Sequence, residues 1–267
     1  MSLSPCCFKG HFHKGTAKGQ IIEIGPDNRR TYVSGPEPAQ ASGAILIIAD
    51  VFGISLNNTR IIADNYAEKT GARVYIPDFF DGRDLYTQLD GHSPGSPEAQ
   101  AKGFKIQDFL AEFHPRDNSY PKIESAAKAI KALHSGKKLG VVGFCWGAPG
   151  TMRLGSDDVP ADTQADAIAW AHPSLLELPS DISKLTKPGC FLAAETDAQL
   201  PKERREIVEE ELCKLAKKGI YTTLRFFPGV EHGWAVRGDE NNEYTSRAMR
   251  DAQSTLADFF AIELRGQ

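Results

Sequence analysis

Three residues of this chain, Cys145, Asp197 and His232, are the types that together make an acyl-accepting nucleophile. A thiolate attacks a carbonyl carbon, an imidazole handles the thiol proton, and a carboxylate holds the ring in the required tautomer and steadies its positive charge. Cys145 stands at the centre of Gly143-Phe144-Cys145-Trp146-Gly147, after the apolar run 139–142 and before the small residues Ala148 and Gly150. The pattern predicts a short buried strand, a sharp turn and a helix start, which is a nucleophile elbow carrying cysteine where serine is usual. So tight a turn strains the backbone of its central residue and leaves no room for side chains two positions before and after it. The backbone N–H of Trp146, directly after the nucleophile, is the expected first donor to an oxyanion.

Such groups act only if a scaffold brings them together, and the hydrophobic pattern supplies one. Residues 21–24 and 25–33 predict an antiparallel hairpin turned at Pro26-Asp27-Asn28, and the aliphatic run 44–49 predicts a central parallel strand. A helix over 57–70 and a strand over 72–76 follow. The Gly-, Pro- and Asp-rich stretch 78–119, with a helix expected over 97–113, is long enough to be a lid or a binding loop. After it the pattern predicts a helix at 120–135, strands at 165–171 and 189–194, a helix at 202–218, a strand at 221–226 and a closing helix at 245–264. This alternation predicts one domain over residues 1–267, with a mostly parallel sheet between two layers of helices. In such sheets reacting groups gather at the carboxyl ends of the strands. Asp197 follows the 189–194 strand, His232 follows the 221–226 strand, and the order Cys145, Asp197, His232 is the nucleophile, acid, base order of an α/β-hydrolase. The second oxyanion donor is expected in the turn after 44–49, with Val51 the candidate.

Composition narrows the setting. The 267 residues are 41% hydrophobic, enough for a large core, and the formal charge of -4 without a basic cluster gives no footprint for nucleic acid. Five cysteines (Cys6, Cys7, Cys145, Cys190 and Cys213) lack the paired spacing of a zinc site or a disulfide framework, so a reducing, cytoplasmic setting is expected. No stretch has the apolar length of a membrane span, and residues 1–14 have no apolar core of a signal peptide. Adjacent Cys6 and Cys7 are poorly placed to chelate one tetrahedral ion together, so no metal site is expected.

With these residues in view, the chain resembles the dienelactone hydrolase (carboxymethylenebutenolidase-like) family over nearly its whole length. The likeness is carried by Ile48-Ala49-Asp50-Val51-Phe52-Gly53-Ile54, Tyr75-Ile76-Pro77-Asp78-Phe79-Phe80, the elbow over 140–147, Glu195-Thr196-Asp197 and Glu231-His232-Gly233-Trp234-Ala235-Val236-Arg237. Cys6-Cys7 with Gly15-Thr16 is similar to the eukaryotic, fungal-type branch. The resemblance implies hydrolysis of a cyclic enol ester through an acyl-thioester, without metal or organic cofactor, by a monomer or weak homodimer whose partner is a small lactone or ester. It further implies that Asp50 holds the place of a glutamate that modulates the nucleophile in bacterial members. Arg83 and Arg237 would then hold the substrate carboxylate, with Arg237 one position later than in the bacterial pattern. Phe52 and Trp234, with Trp146, Phe79 and Phe80, suggest a more aromatic pocket than a small lactone needs. Two alternatives therefore stand beside the dienelactone reading. One is a hydrolase of a larger aromatic or polyketide-derived lactone or thioester, and the other is a non-catalytic or redox-sensing protein that keeps the fold.

Overall fold

The computed structural model describes Cys7, residues 10–92 and residues 96–265. Eight strands form one sheet: β1 (Gln20–Ile24), β2 (Arg29–Ser34), β3 (Ala44–Ile48), β4 (Arg73–Pro77), β5 (Leu139–Phe144), β6 (Ala167–Ala171), β7 (Gly189–Thr196) and β8 (Thr222–Glu231). Their spatial order is β1-β2-β4-β3-β5-β6-β7-β8, and only β1 and β2 run antiparallel to their neighbours. Every residue of β3, β4, β5 and β6 is buried, because helices cover both faces of a parallel sheet. Each fully buried large aliphatic side chain there contributes about 1.5–3 kcal/mol.

Two sets of helices, numbered in chain order with the short α2 (Leu85–Gln88), α3 (Pro97–Ala101) and α4 (Ile106–Glu112) lying in the excursion after β4, provide that cover. On one side α1 (Asn57–Thr70) touches α9 (Trp234–Arg237) and the long α10 (Glu243–Glu263). On the other, α5 (Tyr120–Leu133), α6 (Ala148–Leu154), α7 (Ser180–Ser183) and α8 (Lys202–Lys217) touch in succession. This is the three-layer α/β-hydrolase arrangement, with β5 central and its elbow leading into α6.

Three sequence expectations need adjustment. The helix expected over 97–113 is two short helices, Pro97–Ala101 and Ile106–Glu112, because Gly103 between them takes a left-handed conformation that ends the first. The strand expected to stop at 226 continues to Glu231, since β8 keeps pairing with β7 as far as Thr196 opposite Glu231. The strand expected from 165 begins at Ala167. The excursion over 78–119 is anchored to the elbow: Trp146 donates from its indole Nε1 to the carbonyl of Phe113 at 2.7 Å, and its ring lies 4.6 Å from that of Phe80.

Candidate active site

The elbow has the strain its sequence predicts. Cys145 has φ of +49°, a left-handed value that a non-glycine residue adopts only when its surroundings impose it. A Cβ on Gly147 would sit 2.1 Å from the carbonyl oxygen of Ile48, and one on Gly143 would sit 2.5 Å from the carbonyl oxygen of Gly147. Both obstacles are backbone, so neither can move aside without shifting β3 or the elbow itself. The two glycines thus allow β5, its turn and β3 to approach closely enough to present Cys145 at the sheet's carboxyl edge.

Other strands deliver their ends to the same edge. Asp197 follows β7 and His232 follows β8, and the N–H of His232 donates to the carbonyl of Thr196 at 3.0 Å, tying the two strand ends together. The His232 Nδ1 and Asp197 Oδ2 are 2.8 Å apart, while Asp197 Oδ1 accepts from the N–H of Gln199 at 2.8 Å. Glu195 is exposed and its carboxylate accepts from the N–H of Gly229 instead. Cys145, Asp197 and His232 are all buried. Burial opposes a charge on His232, but hydrogen bonds and charges from Asp197 and Cys7 outweigh it and raise the ring's pKa to about 10.

Between the Cys145 thiol and the His232 imidazole stands a residue that sequence reasoning missed. Ser174 Oγ is 3.2 Å from Cys145 Sγ and 3.5 Å from His232 Nε2, and the Ser174 N–H donates to the Cys145 carbonyl at 3.0 Å. It follows β6, as does buried His172, whose ring lies 5.1 Å from that of His232. Burial and the neighbouring His232 hold His172 well below the usual histidine pKa. The rule that found Asp197 and His232, a polar residue just after a parallel strand, applies equally to Trp170-Ala171-His172-Pro173-Ser174 and would have found both.

Cys7 was also missed. Its Sγ is 3.5 Å from Ser174 Oγ, and one ligand atom each from Cys7, Cys145 and His232 lie within 4.8 Å of one another. Cys6 lies outside the described residues. Two adjacent cysteines offered no metal geometry by spacing, yet the fold places one of them against residues more than a hundred positions away.

The predicted binding residues divide. Arg237 is buried, forms an ion pair with buried Asp50, donates from Nη2 to the Cys7 carbonyl at 3.1 Å and lies over the Phe52 ring at 4.6 Å. Asp50 Oδ1 accepts from the N–H of Phe52 at 3.0 Å, so this carboxylate closes the turn that contains Val51 and faces Arg237. The thiol of Cys145 is hydrogen-bonded to Ser174. Trp234 is buried against His172 and Phe227. Arg83 is about half exposed, pairs with Glu112 and lies over the Phe113 ring, so these contacts do not bring it to the group around Cys145. A cavity of about 520 Å³ opens beside His232, Trp234 and Arg237 and is lined also by Gly10 and His11. Among the described residues no helix is long and apolar enough to cross a membrane.

The family model described as "Dienelactone hydrolase family" matches residues 30–264. The chain is 30% identical to "Hydrolase pyvD" of Aspergillus violaceofuscus, over 89% of this chain and 87% of that protein. It is 31% identical to "Dienlactone hydrolase 1" of Gibberella moniliformis, over 87% of this chain and 83% of that protein. Among solved structures, the apo form of esterase 2 from Thermogutta terrifontis has the same fold, with a TM-score of 0.59, 15% identity and coverage of 91% and 94% of the two chains.

Proposed function

We propose that this chain, which belongs to the dienelactone hydrolase family, opens a lactone or activated ester of dienelactone type through an acyl-thioester on Cys145. It is a carboxylic ester hydrolase. The observation that carries the reading is the strained Cys145 linked through Ser174 to a His232 that is hydrogen-bonded to Asp197. The Cys145 thiolate attacks the acyl carbon while the protonated His232 ring, held by Asp197, balances its charge. The oxyanion that forms accepts from the backbone N–H groups of Trp146 and Val51. His232 passes its proton to the departing oxygen and then takes one from the water that cleaves the thioester. Ser174, within reach of both thiol and imidazole, gives these protons a path.

Arg237 is the cation for a substrate carboxylate in this reading, and the incoming anion competes with Asp50 for it. Asp50 modulates the nucleophile indirectly, through Arg237 and the Val51 turn, and Phe52 and Trp234 flank the bound acid. Replacing Cys145 by alanine lowers turnover of an activated aryl ester by about 10³-fold or more. Undiminished turnover in that variant would rule out the thioester route.

A second reading has its own support. Arg83 is engaged by Glu112, so the pair of arginines expected around the carboxylate of a small lactone is reduced to Arg237. Aromatic rings, in contrast, are abundant: Phe12 packs on Phe52 and Tyr86, and Phe80 on Phe109, Phe113 and Trp146. These features favour a larger aromatic or polyketide-derived lactone or thioester. In a panel of lactones, a strong preference for dienelactone over bulkier aryl lactones eliminates this version.

A further inference from the structure

We propose that Cys7, Cys145 and His232 bind a zinc-class divalent cation, and that the bound ion reversibly blocks the nucleophile. A tetrahedral ion with sulfur at about 2.3 Å and nitrogen or oxygen at about 2.0–2.1 Å has ligand-to-ligand edges of roughly 3.4–3.8 Å. Ser174 Oγ lies 3.2 Å from Cys145 Sγ, 3.5 Å from Cys7 Sγ and 3.5 Å from His232 Nε2, close to three of those edges. The other three atoms are within 4.8 Å of one another, so closing that triangle takes about 1 Å on its longest side. Ser174 marks the fourth corner.

The surroundings suit such an ion. His232 donates through Nδ1 to Asp197 at 2.8 Å, which aims Nε2 into the cluster and makes the carboxylate–histidine–metal relay typical of zinc ligands. Two thiolates and a neutral imidazole bind a divalent ion with no net charge on the group, and coordination sends to solvent the protons held by the two sulfurs and by His232 Nε2. Two sulfurs and an imidazole select zinc, cobalt(II) or cadmium over magnesium or calcium. The consequence for turnover rests on Cys145 being the nucleophile, because coordination occupies both its sulfur and the nitrogen that manages its proton.

The test is titration of the reduced, full-length chain with Co²⁺ in the absence of oxygen, followed by displacement with Zn²⁺. One equivalent is expected to give an intense near-ultraviolet sulfur-to-cobalt band and the visible bands of a tetrahedral ion. Cys7→Ser and Cys7→Ala should each remove about half of the near-ultraviolet band and weaken Zn²⁺ binding by at least about 10-fold. Cys213→Ser, at an exposed thiol, and Cys6→Ser should leave both unchanged. Absence of the band in the wild type, wild-type spectra from both Cys7 variants, or dependence on Cys6 or Cys213 overturns the proposal. Chelator-reversible inhibition of ester turnover by Zn²⁺, lost with Cys7→Ser, tests the blocking role. Because the spectrum is read without turnover, a correct metal site paired with a wrong nucleophile would show the bands without the inhibition.

Discussion

Asp197 divides its carboxylate between two tasks: Oδ1 is held by the N–H of Gln199 and Oδ2 faces His232 Nδ1. In Asp197→Asn the first bond can survive while the second loses its charged acceptor, so the ring is no longer held in the useful tautomer. Turnover of an activated aryl ester is expected to fall by about 10²–10⁴-fold with little change in KM. Steady-state kinetics check this, and a loss below about 3-fold would remove Asp197 from the reacting group. Asp197 and His232 were legible in the sequence because each follows a parallel strand. Ser174 and His172 satisfy the same rule after β6. Cys7 satisfies none, since its contacts with Ser174 and Arg237 span most of the chain.

At the scale of elements, the central strands were readable because burial on both faces makes them continuous aliphatic runs, whereas their ends were not. β8 runs on past Pro228 because β7 is there to pair with it, and pairing across a sheet has no local signature. The end of α5 carries a second tertiary dependence. His134 follows its last turn, is buried, and shares a 2.8 Å hydrogen bond with Tyr75 of β4. Burial, with Lys137 and Arg73 nearby, lowers its pKa from 6.5 to about 4. The folded state therefore resists a proton that the unfolded chain accepts. Stability from this group is complete above pH 6.5, is lost as pH falls from 6.5 towards 4, and declines no further below that. The loss is about 3 kcal/mol. Urea denaturation of wild type and His134→Gln across this range should show a steeper acid-side decline in the wild type, and parallel curves would refute the assignment.

Across the whole molecule, one buried side chain clasps the N-terminal segment to the body that carries the site. Asn58 Oδ1 accepts from the N–H of His13, and its Nδ2 donates to the carbonyls of His11 and Val236, each at 2.9 Å. The N–H of His11 also donates to the carbonyl of Arg237 at 2.9 Å, so α1, α9 and the segment that brings Cys7 to Ser174 are held at one place. Asn58→Ala removes three hydrogen bonds and leaves buried partners unpaired, at a cost of about 1–3 kcal/mol. Its more diagnostic effect is local: alkylation of Cys7 and Cys145 by iodoacetamide, followed by mass spectrometry, should quicken by about 10-fold or more, since local opening governs access. Equal rates in variant and wild type would show that this clasp does not cover the site.

The order of strands and helices, the elbow glycines, and the succession Cys145, Asp197, His232 were determined by the sequence alone, because each rests on local hydrophobic pattern, steric demand or position just after a strand. The family resemblance rests on the same local motifs. Tertiary structure decided the rest: that Ser174 stands between thiol and imidazole, that Asp50 faces Arg237, that Arg83 pairs with Glu112, and that Cys7 joins the buried group. Each of these depends on side chains meeting across distant segments. Such meetings are set by the packing of the whole chain and leave no periodicity along it.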